Sequence, residues 1–283
     1  MENLSAAKRP KHLVKIVIPI YRSQLTNNEY QSLQNNVSVL ARYPIVLLAP
    51  DGVDISAIEQ QIGQREVMRV SADWLGEKCG IEGYNRMMLS VDFYRRFGDT
   101  AYILICQTDA WIFRDELDDW CLKEYDYVGA PWVKRPRYSY FPFNIYFLLR
   151  KYYYIVRQRL MSDDKITAPT RYERFDHVGN GGLSLRKVDS FIKACIAYPR
   201  EIDFFNSHNQ MTCNEDWFWA LIPTEFSRPN AVEALQFAID DYPKRCLKLN
   251  GGELPFGCHG WSKRRNFDFW KDIIVTHSRP SSR

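Results

Sequence analysis

The stretch Ala101-Tyr102-Ile103-Leu104-Ile105-Cys106-Gln107-Thr108-Asp109 decides the architecture. A short, almost wholly apolar run cut off by three polar residues reads as a strand buried on both faces, the signature of a parallel sheet. The run Lys15–Tyr21 has the same form, as does Pro44–Pro50, which is stopped by Asp51-Gly52; a third such strand falls at Glu66–Val70. Between these runs the apolar period becomes helical. Thr26 and Glu29 have capping-box spacing, and Tyr30, Leu33, Val37 and Leu40 fall on one helix face. A short helix is expected near 54–62, and one helix carries Tyr84, Met87, Met88, Val91, Tyr94 and Phe97. Strand–helix alternation of this kind predicts an α/β fold, with a Rossmann-type, mostly parallel sheet flanked by helices. Ligands of such sheets bind beyond the carboxyl ends of the strands. Pro19, Tyr21 and Arg22, Pro50 to Gly52, and Thr108 and Asp109 lie there.

The second half is less regular. Tyr125–Trp132 reads as a strand running into a loop, and residues 134–175 as an insertion. Gly179-Asn180-Gly181-Gly182 is a glycine-rich turn before a short strand through Leu183-Ser184-Leu185-Arg186. A helix through Val188, Phe191, Ile192 and Cys195 ends at Pro199, and Asn214 caps another that runs to Ile222. The chain closes on Gly257-Cys258-His259-Gly260-Trp261 and a segment containing Trp270.

Composition narrows the classes. The apolar share, 46% of 283 residues, can bury one large core. A net charge of +4 is weak for a nucleic-acid binder, and the basic residues cluster in the insertion and at Lys263-Arg264-Arg265, so no nucleic-acid partner is expected. No apolar run is long enough to span a bilayer, and Met1–Leu13 lacks a signal-peptide core. Seven cysteines without a CxxC pair read as reduced thiols. These features together give the expectation of a cytoplasmic protein.

Five constellations can carry chemistry. Asp109, just past a buried strand, is either a turn carboxylate or a hard oxygen ligand for Mg²⁺ or Mn²⁺ beside phosphates. Asp115 and Glu116 read as capping acids of the next helix. The glycine turn either is a plain tight turn or admits positive φ and close approach to a ligand. Glu215 and Asp216 either complement a helix dipole or, beside Trp217, supply a base in a sugar site. His259, between Gly257-Cys258 and Gly260 in a loop-like stretch, can complete a metal site. The insertion mixes cations with aromatic and aliphatic residues through Leu160. It suits a segment at a membrane surface, or an ordinary amphipathic helix.

In order, the strand Ile16–Tyr21, Gln107-Thr108-Asp109-Ala110, Val128-Gly129-Ala130-Pro131-Trp132, Gly179–Arg186, Asn214-Glu215-Asp216 and Gly257–Gly260 resemble a bacterial and fungal family catalogued as a domain of unknown function and considered glycosyltransferase-like. The resemblance covers roughly residues 15–262 and implies a single GT-A-like domain. Its nucleotide-sugar-binding half would be 14–133, its insertion 134–175, and its acceptor and catalytic half 176–262. It implies transfer of a sugar from a nucleotide-sugar donor to a glycan or lipid-linked acceptor in cell-surface polysaccharide synthesis. By resemblance Asp109 matches the last Asp of the Asp-x-Asp motif and, with His259, would hold Mn²⁺ or Mg²⁺. Pro19, Tyr21, Arg22 and Thr108 would line the donor site, Trp132, Gly181, Gly182 and Trp217 the sugar or acceptor pocket, and Asp216 with Glu215 would hold the catalytic base, which implies inversion. Residues 134–160 would bring the enzyme to the inner face of the membrane. The departure is Gln107, where the family superclass has the first Asp. It keeps open an inactive sugar-binding protein on the same fold. A nucleotidyl- or phosphoryl-transfer enzyme would need more carboxylates around paired metals.

Overall fold

Apolar runs become strands where they are sandwiched between two layers of helix. The computed structural model describes residues 10–161 and 166–277. Its strands are β1 (His12–Pro19), β2 (Ile45–Pro50), β3 (Glu66–Val70), β4 (Thr100–Cys106), β5 (Ala110–Ile112), β6 (Tyr127–Gly129), β7 (Leu183–Lys187), β8 (Ala238–Ile239) and β9 (Gly257–His259). The helices are α1 (Asn27–Val39), α2 (Ser56–Ile62), α3 (Gly80–Met88), α4 (Val91–Arg95), α5 (Leu117–Leu122), α6 (Phe143–Met161), α7 (Val188–Ala197), α8 (Pro199–Ser207), α9 (Glu215–Leu221), α10 (Ala231–Phe237), α11 (Pro243–Leu249) and α12 (Arg264–His277).

The main sheet has the order β3-β2-β1-β4-β7-β6. β1, β2, β3 and β4 are parallel; β7 runs antiparallel to both β4 and β6. The fold is therefore α/β with a mixed, mostly parallel sheet, as the sequence predicted. Alternate side chains split the core in two. Val14, Ile16, Ile18, Tyr102 and Leu104 face α1, α2 and α5, while Val17, Ile103 and Ile105 face α3, α4, α7 and α9. The chain leaves β1 toward β2 on one side and meets β4 on the other, so a crevice opens past the ends of β1 and β4.

Four expectations change. The single helix through Tyr84 and Phe97 is two, because Ser90 adopts an extended backbone and its hydroxyl accepts from Asp92 N, starting α4 afresh. Pro199 does not only end α7; it opens α8, where a missing N–H costs nothing. Asn214 precedes α9, but its side chain does not cap it. Asn85 of α3 does so instead: its Oδ1 accepts from Glu215 N at 3.1 Å, and its Nδ2 donates to Asn214 Oδ1. At α5, Glu116 makes no cap bond and pairs with Arg114, while Asp115 ties down Arg42 and Tyr43.

A second sheet, β5-β9-β8, was not legible. It places the segment 257–259, read as a loop, in a buried strand. Asn36 of α1 anchors its edge, donating to Ala110 O and accepting from Ile112 N, both at 2.8 Å.

Among the described residues the largest polar side chain that is fully buried is Arg186. Its guanidinium donates to Tyr94 Oη at 2.8 Å, to Ser184 Oγ at 3.0 Å and to Glu215 Oε1 at 3.2 Å. Burial works against its charge, but Glu215 and the neighbouring Tyr94, Tyr127 and Tyr84 together outweigh that and the charge is retained. An arginine cannot escape by losing its proton. Glu215→Gln should therefore strand a buried cation and cost roughly 3–5 kcal/mol in urea unfolding. Arg186→Met combined with Glu215→Gln should recover much of that loss.

Candidate functional site

The register of the small sheet assembles the site. Ala110 of β5 faces His259 of β9, so Asp109, one residue earlier, meets the imidazole. Ile239 of β8 lies beside Cys258, so Asp240 arrives at the other ring nitrogen. His259 Nε2 is 3.1 Å from Asp109 Oδ1, and Nδ1 is 3.1 Å from Asp240 Oδ1. Gly260 N donates to Asp109 O and closes the corner. His259 is thus buried, not a loop histidine. Burial pushes its pKa down, but the two carboxylates, Asp109 first, lift it to about 9. Burial likewise pushes Asp109 up, but His259 and then Lys263 hold it well below the usual carboxylate range. Lys263 Nζ lies 3.6 Å from Asp109 Oδ2. Neither Asp240 nor Lys263 stood out in the sequence, because each is placed by tertiary structure alone.

Gln107, the departure from the family pattern, bridges the crevice. Its Nε2 donates to Tyr21 Oη at 3.0 Å, and its Oε1 is 3.1 Å from His259 Nε2. It therefore links the ends of β1, β4 and β9.

The glycine turn works differently from the expectation. None of its three glycines has positive φ; that falls on Asn180, at 29°. What the glycines supply is absent volume. A Cβ at Gly179 would overlap the Trp132 ring, one at Gly181 the Glu215 carboxylate, and one at Gly182 the His259 imidazole. The close approach is to the protein's own site residues.

These elements enclose a cavity of about 470 Å³, lined among others by Tyr84, Gln107, Gly181, Glu215, Asp216 and His259. A second cavity of about 720 Å³ lies past the ends of β1 and β2, against Pro50 to Asp54. Tyr21, Arg22, Gly76 and Glu77 line both, so the two cavities share a wall. Arg22 is fixed by Glu29 at 2.7 Å. Asp216 is half-buried; burial, then the charge of Glu215, raises its carboxyl to about 7. Glu215 itself is buried, and Arg186 Nη2 lies 3.1 Å from its Oε2.

The structure thus brings together Tyr21, Arg22, Gly181, Gly182, Asp216, Glu215 and His259, with Asp109 behind the imidazole. It does not bring Pro19, Thr108, Trp132 or Trp217 into either cavity. Pro19 is buried at its strand end, and Thr108 donates to Glu29 Oε1 at 3.2 Å as a structural tie. Trp217 packs on Trp132, centroids 5.3 Å apart, because α9 turns that position into the core.

Asp109 and His259 are the residues that could hold a cation, and Asp240 on Nδ1 would leave Nε2 as the nitrogen to bind it. Among the described residues no group of three His, Cys, Asp or Glu stands ready as a complete metal site. A two-ligand set fits Mg²⁺ or Mn²⁺ when phosphate oxygens complete the shell. The imidazole would release its proton on binding.

Residues 64–259 match a family model described as a protein of unknown function, DUF5672. No curated protein matches the sequence. Among solved structures, the galactosyltransferase LgtC in complex with donor and acceptor sugar analogues aligns at TM-score 0.53 and 10% identity, over 95% of this chain and 98% of that one. The apo bifunctional glycosyltransferase WbbM aligns at 0.51 and 10% identity, over 99% of this chain and 51% of that one. The Mn/GDP form of core-mannan synthase A from Aspergillus fumigatus aligns at 0.43 and 9% identity, over 72% of this chain and 68% of that one. The first two likenesses show the fold as that of GT-A glycosyltransferases.

Because Gly182 makes room for the imidazole, Gly182→Ala should push His259 off Asp109 and cost about 1–3 kcal/mol in urea unfolding. Gly251→Ala, with open space around it, should cost about 1 kcal/mol from backbone strain alone.

Proposed function

This chain belongs to the DUF5672 family, and from that premise we propose that it is a glycosyltransferase, moving a sugar from a nucleotide-sugar donor to a glycan or lipid-linked acceptor in cell-surface polysaccharide synthesis. The observation that carries this reading is the pair of cavities that share a wall at the switch point of the sheet, the smaller of them lined by both His259 and Asp216, with Asp109 behind the imidazole. The half at 14–133 is the donor side, the half at 176–262 the acceptor side, and 134–175 an insertion between them.

The larger cavity, past β1 and β2, takes the nucleoside, with Arg22 at its mouth facing the phosphates. Asp109 and His259 hold Mn²⁺ or Mg²⁺, and Gln107 takes the place of the family's usual first Asp as a neutral oxygen donor beside them. When bound, the ion neutralises the leaving diphosphate. Gly181 and Gly182 keep the floor of the sugar cavity low, and the Glu215 carboxylate, fixed by Arg186, accepts a sugar hydroxyl. Asp216 takes the proton of the attacking acceptor hydroxyl, which places the reaction in the inverting class. Its raised pKa suits that work, since a base titrating near the operating pH combines availability with driving force. The exposed apolar side chains of α6, such as Leu149, Tyr152 and Leu160, beside its arginines, suit contact with the inner face of a membrane. No described helix is long and apolar enough to cross one.

A second reading, nucleotide-sugar or glycan binding without turnover, draws on Lys263, whose ammonium already supplies a countercharge to Asp109. Incubation with a panel of nucleotide sugars, with Mn²⁺ or with chelator, separates the two. Metal-dependent nucleotide release that disappears in Asp109→Ala supports transfer. Binding seen by calorimetry, with no release from any donor in the presence of acceptor glycans, supports the second reading.

The pH dependence follows from Asp216. Below about pH 7 its carboxyl is protonated and cannot accept a proton, so the transfer rate should rise as pH increases through about 7. Asp216→Asn should lower kcat by about 10²–10⁴-fold and flatten that limb.

A further inference from the structure

A third cavity, of about 350 Å³, lies outside the two already described, between the loop after β6, the helix α6 and the turn at 171–175. Five arginines line it: Arg135, Arg137, Arg150, Arg171 and Arg174. Against them stands one lining carboxylate, Asp241, which is already paired with Arg265 at 2.6 Å. The neighbouring Asp176 is paired with Lys134. Among the described residues none of the five guanidinium groups is in an ion pair. Four of them are held instead by rings and phenols. Arg150 donates to Tyr146 Oη and Tyr154 Oη, and Arg171 lies over Tyr172 at 5.5 Å. Arg174 lies over Trp132, Phe175 and Trp217 at 5.8, 5.3 and 5.4 Å. Its Nε is buried and donates to nothing, and burial works against its charge.

Five like charges around one cavity repel, and a buried N–H without an acceptor carries a desolvation penalty. Both costs vanish if an anion with several acceptor oxygens enters. Planar guanidinium groups offer paired N–H donors in the fork geometry that phosphate oxygens accept. The cavity also borders the proposed catalytic centre. Trp132, in its wall, packs on Trp217, which follows Asp216. Asp241, also in its wall, follows Asp240, the partner of His259.

We propose that this cavity is a phosphate-binding subsite that takes a phosphate or diphosphate group carried by the acceptor. The assignment to the acceptor rests on the transferase reading above; the anion site itself does not. A phosphorylated acceptor, seated here by its charged end, presents its hydroxyl end toward Asp216. Arg150 projects from α6, whose exposed apolar face continues away from the cavity, so a phosphate on a lipid and a phosphate on a soluble sugar share the same recognition chemistry.

The test is calorimetric titration of the full chain with inorganic pyrophosphate, in chelator so that no cation anchors it in the donor cleft. Arg171→Gln, at an exposed position, and Arg174→Gln should each weaken binding by about tenfold, while Lys263→Gln leaves it unchanged. Thermal unfolding of each variant checks that the fold is retained. Absence of binding, or binding weakened only by Lys263→Gln, overturns the subsite. Flotation with phosphatidic acid vesicles, against phosphatidylcholine vesicles, then identifies the source. Capture that Arg171→Gln abolishes assigns a lipid phosphate, and pyrophosphate binding without capture assigns a soluble one. Nucleotide-sugar hydrolysis on the same proteins keeps the two readings apart. Hydrolysis that persists while pyrophosphate fails to bind overturns the subsite alone. Arginine-dependent binding in a protein that hydrolyses no donor overturns the transferase reading and the acceptor assignment, and leaves an anion site.

Discussion

The imidazole of His259, held between Asp109 and Asp240, is the contact on which the rest of the site depends. It exists because of register. β5 brings Asp109 to one ring nitrogen and β8 brings Asp240 to the other. A shift of one residue in either pairing would turn the side chain to the opposite face of the sheet. The two carboxylates flanking one ring favour its charged form, and Nε2 faces Asp109 and Gln107.

Around that contact the fold creates room by leaving atoms out. The turn at 179–182 is glycine-rich because Trp132, Glu215 and His259 occupy the space where side chains would stand. The buried Arg186 extends the same logic inward. It fixes Glu215 from behind, and Glu215 in turn raises its neighbour Asp216. An ion pair of this kind adds little net stability against an apolar replacement of the same shape. Its effect here is positional, fixing one carboxylate so that the next residue faces the cavity with an altered affinity for protons.

Charge is distributed unevenly over the three cavities. The central one holds the carboxylates, while the one beside α6 holds arginines stacked on aromatic rings, with one carboxylate already spoken for. Stacking lets guanidinium groups sit close together because the ring faces are electron-rich. The aromatic richness of the insertion therefore has a local physical use beyond covering the core.

The sequence by itself determined the layers. Buried strands announce themselves as apolar runs, helices as 3.6-residue periodicity, and Thr26 with Glu29 as a capping box, since each depends on neighbours along the chain. It also marked Asp109 just past a buried strand, Glu215 and Asp216 at a helix start beside Trp217, and His259 among glycines. Only the tertiary structure decided what those residues touch. The small sheet uses strands of two or three residues, too short to carry a period, so neither Asp240 nor the burial of His259 could be read in advance. The break at Ser90, the cap supplied by Asn85 across 129 residues and more, and the inward turn of Trp217 all depend on partners distant in the chain. Local pattern fixes which elements form; contacts between residues far apart in sequence fix the geometry in which chemistry takes place.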